Sequence, residues 1–137
     1  MNEQWLKYTK KYEGLNLYPY LCPMKHLTIG YGHNLENGIT PEVAQQLLLA
    51  DLAQAQLEVG KKFPWSNQLG EVRQFVLVDM CFNMGIKKLL TFKKMLAALE
   101  KGYYDRAAYE MLNSRWAGQV GRRATELAKM METGVYQ

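Results

Sequence analysis

Three residues near the start of the chain combine side chains that can act together on a covalent bond. Glu13, Cys22 and Thr28 lie in one stretch, with eight residues between the first two and five between the last two. A carboxylic acid that keeps its proton can protonate a glycosidic oxygen, while a second group acts on the opposite face of the sugar ring. A hydroxyl can hold the attacking water. These residue types are compatible with glycoside hydrolysis, but taken alone they favour a structural hairpin with an ordinary thiol.

The elements that must position these residues are predicted from the spacing of apolar side chains. Residues 2–12 have aromatic side chains three and four positions apart, as on one face of a helix. Gly14 suits the position just past a helix end. Glu13 then falls in the last turn, where the helix dipole disfavours an ionised carboxylate. Residues 15–34 alternate as short strands do, so we expect a small antiparallel sheet of two or three strands.

The remainder of the chain is predicted to be helical. The Thr-Pro-Glu run at residues 40–42 is typical of a helix start, and this long helix is expected to end at Val59, before Gly60. A helix over about residues 67–84 is apolar almost all round, which predicts a central buried helix.

Three shorter helices are expected to follow. Thr91 and Asp105 are predicted to cap the first two, and the last is expected to run from Arg122 to Glu132. Residues 114–118 are interpreted as a connector between helices.

Composition excludes several classes of protein. At 137 residues, 48% hydrophobic and 22% charged, the chain fits one globular domain. Its net charge of +4 comes from scattered lysines and arginines, so we do not expect nucleic-acid binding. Two cysteines are too few for a disulfide framework, and Cys81 lies in an apolar run typical of a buried free thiol. The His and Cys residues lack the spacing of metal ligands, so neither a metal nor a cofactor is expected.

The N-terminal residues lack the apolar run of a signal peptide, and no stretch approaches the ~20 apolar residues of a transmembrane helix. We therefore expect synthesis in a cytoplasm. A substrate outside that cytoplasm would require another protein to release this one.

The motif around these residues resembles the signature of the phage-type lysozymes, glycoside hydrolase family 24. That pattern is Glu, eight residues, Asp or Cys, five residues and Thr, and here it begins at Glu13-Gly14 and continues as the Thr-Ile-Gly-Tyr-Gly-His run of residues 28–33. Residues 80–85 resemble the end of the family's central buried helix. Residues 114–116 resemble its C-terminal segment. The resemblance therefore covers nearly the whole chain.

The resemblance implies an α+β, lysozyme-like fold in a single domain over residues 1–137. Its small antiparallel β lobe would cover about residues 14–38, and a long inter-lobe helix would cover about 40–60. The larger helical lobe would comprise about residues 61–137 together with the helix at 2–12.

The resemblance also implies a muramidase, which hydrolyses the β-1,4 bond between N-acetylmuramic acid and N-acetylglucosamine in bacterial peptidoglycan. Glu13 would be the general acid, Cys22 would take the second catalytic position, and Thr28 would position water or sugar. Arg123 would approach Glu13 from the C-terminal lobe. Inversion at the sugar carbon is the family expectation, which Cys22 makes less certain.

Four residues are expected to bind substrate: Tyr31, His33, Asn83 and Arg123. For two of them a structural role stays open. His33 can support the hairpin through hydrogen bonds, and Asn83 can cap the end of the central helix.

The chain departs from the family pattern at two positions. Cys22 stands where the best-known members carry Asp, and a free thiol with a pKa near ~8.5 is mostly uncharged at neutral pH. It can act as a thiolate base, as a nucleophile, or as a small polar group beside the water. Lys25 stands where many relatives carry a turn glycine, and we expect Pro23 to supply the turn in its place.

Two alternatives to the muramidase stay open. A lytic transglycosylase cleaves the same bond, closes a 1,6-anhydro ring and needs no second catalytic group. A non-catalytic wall-binding module is the other. For the muramidase we expect a phage or prophage endolysin, made as a monomer in the host cytoplasm and released onto the periplasmic wall by a separate holin. A virion-associated role is the alternative to host lysis.

Overall fold

A computed structural model describes all residues, 1–137, and the chain divides into two compact units, Met1–Gln46 and Leu47–Gln137. The first unit contains an N-terminal helix, the sheet and the start of a long helix, and the second unit is helical. The predicted α+β class is therefore confirmed. No helix has both the length and the apolar composition needed to cross a membrane. The predicted assignment of residues 2–12 to the helical lobe stays a prediction.

The first unit begins with helix α1, Glu3–Glu13, which Asn2 caps by accepting the N–H of Gln4 at 2.9 Å. Strands β1 (Asn16–Leu21), β2 (Leu27–Gly30) and β3 (His33–Asn34) follow and form an antiparallel sheet in the order β1-β2-β3. A short 3-10 turn at Leu35–Asn37 ends this part of the chain. The expected small sheet of two or three strands is confirmed.

The register of the sheet places the candidate residues relative to one another. Tyr20 pairs with Thr28 across β1 and β2, and Thr28 pairs with Asn34 across β2 and β3. An irregularity interrupts β1 between Asn16 and Tyr20, where Pro19 removes a backbone donor. Thr28 therefore lies on the central strand, between two paired neighbours.

Helix α2, Pro41–Lys62, begins in the first unit and continues into the second. The Thr40 hydroxyl accepts the N–H of Val43 at 3.3 Å, as the predicted helix start requires. The predicted end at Val59 is wrong, because the helix continues through Gly60 to Lys62. Glycine inside a helix costs about 1 kcal/mol relative to alanine, and the buried side chains of Val59 and Phe63 offset that cost.

The second unit packs helices around a core of aliphatic, methionine and tryptophan side chains. Its helices are α3 (Glu71–Met84), α4 (Ile86–Leu89), α5 (Lys93–Glu100), α6 (Tyr104–Leu112), α7 (Arg115–Val120) and α8 (Arg122–Thr133). In α3, the side chains of Val76, Leu77 and Met80 are fully buried, so the predicted central buried helix is confirmed.

Three predicted details of this unit are wrong. Helix α3 begins at Glu71 rather than near residue 67, because a 3-10 turn occupies Pro64–Gln68. Neither Thr91 nor Asp105 caps a helix, because the N-cap residue of α5 is Phe92 and that of α6 is Tyr103.

The predicted connector at residues 114–118 is also wrong, since it forms most of α7. Ser114 is the N-cap, and its hydroxyl accepts the N–H of Ala117 at 3.2 Å and donates to the carbonyl of Met111 at 2.7 Å.

Candidate active site

Glu13 is the last residue of α1, where the chain turns away at Gly14. Gly14 has a φ of +71°, which favours glycine, and its N–H donates to the carbonyl of Lys10 at 2.9 Å. The Glu13 side chain lies against Gly32, in the turn between β2 and β3. A Cβ atom added to Gly32 would lie 2.9 Å from Glu13 Cδ and 3.4 Å from Cγ. The missing side chain of Gly32 therefore leaves the space that the carboxyl group of Glu13 fills.

Cys22 begins the tight turn between β1 and β2. The N–H of Lys25 donates to the carbonyl of Cys22 at 2.8 Å, with Pro23 at the second position as predicted. The N–H of Cys22 donates to the carbonyl of His26 at 3.0 Å. Lys25 has a φ of +64°, a conformation in which a side chain is strained. Pro23 therefore sets the start of the turn but does not remove the need for a left-handed residue at position 25.

The backbone of His26 connects the sulfur and the hydroxyl of the candidate site. Its N–H donates to Cys22 Sγ at 3.3 Å, and its carbonyl accepts the Thr28 hydroxyl at 2.8 Å. Thr28 is only 4% exposed, and this bond satisfies its one hydroxyl proton. The relative placement of Cys22 and Thr28 is thus set by one residue between them.

These hydrogen bonds lower the pKa of the Cys22 thiol. The N–H of His26 is the main cause, burial opposes it, and the N–H of Met24 adds to the lowering. Cys81 differs, because burial first and then the adjacent Glu58 raise the pKa of its thiol to about 11. Both cysteines are free thiols and Cys81 is buried as predicted, so Cys22 is the thiol that ionises at lower pH.

Glu36 adds a second carboxylate next to this turn. Its Oε2 lies 2.7 Å from Nδ1 of His26, which therefore carries the hydrogen, and its Oε1 accepts the N–H of Leu27 at 3.3 Å. The interaction with the His26 side chain, followed by the Leu27 N–H, lowers the pKa of Glu36. No group of three His, Cys, Asp or Glu side chains is arranged to hold a metal ion.

The two expected substrate-binding residues of the first unit are both exposed. Tyr31 is 43% exposed, and the Lys10 ammonium lies 5.3 Å from the centre of its ring. His33 pairs with Ile29 in the sheet and is held there by its backbone. Both side chains are accessible to a ligand.

The two expected substrate-binding residues of the second unit are engaged with their own neighbours. Asn83 Oδ1 accepts the indole N–H of Trp116 at 2.8 Å. Arg123 donates two hydrogen bonds of 2.9 Å to the carboxylate of Asp79, and this bond raises the pKa of the guanidinium. The expected approach of Arg123 to Glu13 stays a prediction.

Comparison with known proteins decides the family. The family model of the phage lysozymes matches residues 10–130, which include every candidate residue named above. The chain belongs to the phage lysozyme family. The resemblance based on the Glu-Cys-Thr spacing is confirmed.

Individual relatives of the chain carry related names. An endolysin of Acyrthosiphon pisum secondary endosymbiont phage 1 is 33% identical over 129 residues, which are 90% of this chain and 85% of that protein. Probable T4-type lysozyme 1 of Dictyostelium discoideum is 36% identical over 66 residues, or 48% of this chain and 39% of that protein. The match to the Dictyostelium protein therefore spans less than half of its length.

A third relative carries the name of a phage spike protein. The pre-baseplate central spike protein Gp5 of Enterobacteria phage T4 is 31% identical over 99 residues, which are 70% of this chain and 17% of that protein.

Within the first unit, the structure brings Glu13 to the β2–β3 turn and links Cys22 to Thr28 through His26. Sequence reasoning missed Glu36 and gave His26 no role in the site. Asn34 is a weak sequence signal for the turn that contains Glu36, because asparagine is a common cap residue. In the structure its Oδ1 accepts the N–H of Glu36 at 2.9 Å. Nothing in the spacing indicates that Glu36 then reaches His26.

Proposed function

We propose that this protein is a muramidase that hydrolyses the β-1,4 bond between N-acetylmuramic acid and N-acetylglucosamine in peptidoglycan. One observation carries the proposal. In a chain of the phage lysozyme family, the carboxyl group of Glu13 packs against Gly32, in the turn that follows β2, and the N–H of His26 binds the sulfur of Cys22 in the turn that precedes β2. Glycoside hydrolysis uses an acid and, in most families, a second group on the opposite side of the sugar ring.

Glu13 is proposed as the general acid, which donates its proton to the leaving glycosidic oxygen. Its contact with Gly32 supports this role, because the carboxyl group is held at the turn that follows β2. Departure of the leaving group then generates positive character on the sugar ring, which water attacks.

Cys22 and Thr28 are proposed to hold that water. The hydroxyl proton of Thr28 is donated to the carbonyl of His26, so Thr28 can offer water only a lone pair. The lowered pKa of Cys22 supports a thiolate that accepts a hydrogen bond from the other O–H group of the water. The thiolate then takes up that proton as the water oxygen attacks the sugar carbon. In this role the sulfur replaces the carboxylate that other members of the family carry.

Tyr31, His33, Asn83 and Arg123 are proposed to contact the sugar chain. The exposure of Tyr31 and His33 supports direct contact. For Asn83 and Arg123, the bonds to Trp116 and Asp79 support a pre-ordered side chain with remaining hydrogen-bonding capacity.

The first experiment is the release of soluble fragments from purified peptidoglycan. Glu13→Gln keeps the size of the side chain but removes the acid, and we expect a loss on the order of 100-fold to 10,000-fold. Glu3→Gln is the matched control, because Glu3 lies at the other end of the same helix. Full activity of Glu13→Gln would remove Glu13 from the mechanism.

Mass spectrometry of the fragments distinguishes the alternatives. Hydrolysis yields reducing muramic acid ends, whereas a lytic transglycosylase yields 1,6-anhydro ends that are lighter by one water. Cys22 is the feature that favours the second reaction, since a transglycosylase needs no second catalytic group. Binding to peptidoglycan without any release of fragments would indicate a wall-binding module.

The proposed biological role is that of an endolysin, acting as a monomer on the periplasmic wall after release from the host cytoplasm by a separate holin. Similarity to an endolysin over 85% of that protein supports this role. Similarity to a spike protein supports a virion-associated role as the alternative. Immunodetection in purified virions and in the soluble fraction of the lysate would separate the two. Co-expression with and without a membrane-permeabilising protein tests the need for a holin.

A further inference from the structure

Glu36 makes two hydrogen-bond contacts with the segment between Cys22 and Thr28. One carboxylate oxygen lies 2.7 Å from the imidazole Nδ1 of His26, and the other accepts the N–H of Leu27 at 3.3 Å. A single side chain therefore restrains both the side chain of residue 26 and the backbone that follows it.

Glu36 is itself anchored to the sheet. Its N–H donates to Oδ1 of Asn34 at 2.9 Å, and Asn34 is paired with Thr28 across β2 and β3. The side chain of Glu36 thus connects β3 to the segment that follows the turn between β1 and β2.

The restrained residue, His26, sets the position of both chemical groups. Its N–H donates to Cys22 Sγ, and its carbonyl accepts both the Cys22 N–H and the Thr28 hydroxyl. A rotation of this peptide would move the sulfur and the hydroxyl relative to each other.

The turn needs such a restraint. Lys25, directly before His26, has a φ of +64°, which side chains other than glycine adopt only at a cost in energy. Without the two contacts made by Glu36, we expect relaxation of the Lys25 backbone to move the N–H of His26 away from the sulfur.

We propose that Glu36 is a positioning residue, which holds Cys22 and Thr28 in their working geometry through His26 and Leu27. The catalytic part of this inference rests on the proposed hydrolysis of peptidoglycan. The geometric part concerns only the folded chain.

The test compares Glu36→Gln with Glu42→Gln, an exposed glutamate in the first turn of α2 within the same unit. Alkylation of Cys22 by iodoacetamide is followed across pH, with peptide mapping by mass spectrometry. Cys81 is counted separately and, being buried with a pKa near 11, stays unmodified at lower pH. Of the titratable residues, Lys25 belongs to the turn, His26 follows it and binds the sulfur through its N–H, and Glu36 contacts it through His26.

The direction of the change in the alkylation profile separates positioning from simple electrostatics. Removal of a nearby negative charge alone would make the thiolate easier to form and would move the alkylation profile to lower pH. Loss of the His26 N–H from the sulfur moves it to higher pH, and this is the expected result for Glu36→Gln.

Activity provides the second measurement. Misplacement of the sulfur and hydroxyl is expected to lower kcat on the order of 10-fold to 100-fold with little change in KM. His26→Ala removes the imidazole that contacts Glu36 and is also expected to lower kcat. Because the two side chains act together, kcat of the double variant should be no lower than that of the more affected single variant.

An alkylation profile for Glu36→Gln that matches Glu42→Gln would overturn the inference, and so would an unchanged kcat in both Glu36→Gln and His26→Ala. A wild-type protein that releases no fragments would refute the proposed function instead. The alkylation measurement uses no substrate, so it tests the hold on Cys22 in either case.

Discussion

Replacement of Gly32 by alanine tests the position of the proposed acid without changing the acid itself. Gly32 has a φ of +79°, and an added Cβ would lie 2.9 Å from Glu13 Cδ. Real Cβ atoms do not approach a carbon so closely, so the Glu13 side chain must swing away. Gly30 is the matched control, with a φ of +70° and open space around its missing Cβ.

The magnitudes follow from this difference. Alanine at a positive φ is disfavoured by roughly 1 kcal/mol, net of its smaller entropy in the unfolded chain. Both variants should therefore lose about 1 kcal/mol of unfolding free energy, or about 3 °C in Tm. Because the end of the Glu13 side chain is flexible, its displacement adds little to the loss of stability. A carboxyl group displaced by about 1 Å should nevertheless lose on the order of 100-fold in kcat.

The assay pairs thermal unfolding with the release of fragments from peptidoglycan at a temperature where both variants are folded. We expect similar Tm values, near wild-type activity for Gly30→Ala, and strongly reduced activity for Gly32→Ala. Equal activity of the two variants would show that the contact between Glu13 and Gly32 has no part in the reaction.

Two further predictions concern stability. Lys25→Gly relieves the strained φ of +64° and should raise the unfolding free energy by about 0.5–1 kcal/mol, measured by urea denaturation; a loss of stability would mean that the lysine side chain stabilises the turn. Asp79→Asn removes the charge of Asp79 and one of the two oxygens that accept hydrogen bonds from Arg123. Asp79 is 15% exposed and Arg123 is 37% exposed, and we expect the free energy of unfolding to fall by about 1–2 kcal/mol. Glu126→Gln, which removes the charge of an exposed ion pair with Arg122, is the control. We expect it to change the free energy of unfolding by less than about 0.5 kcal/mol. Equal losses of stability in Asp79→Asn and Glu126→Gln would contradict the reasoning.

The sequence predicted most helices because each local signal agreed with the packing. The apolar run that became α3 is buried, and the Thr-Pro-Glu start of α2 is used. The prediction failed where a local signal was outweighed by tertiary contacts. Gly60 does not end α2, because the burial of Val59 and Phe63 supports one more turn.

Caps were the least predictable feature. Thr91 was expected to accept a helix N–H, but its hydroxyl donates to the carbonyl of Lys88 at 2.6 Å. Ser114 was taken for part of a connector, yet it caps α7. A hydroxyl close to a helix end has several backbone partners within reach, and the fold decides which one it takes.

The sequence by itself determined the family, the α+β class and the three residues that carry the proposed chemistry. These depend on residue type and on spacing along the chain, which the folded state does not alter. The tertiary structure decided what surrounds them: Glu13 against Gly32, Cys22 and Thr28 joined through His26, and Glu36 on His26. Such contacts depend on strand register and on the path of a strained turn, and both are set by the packing of the whole unit.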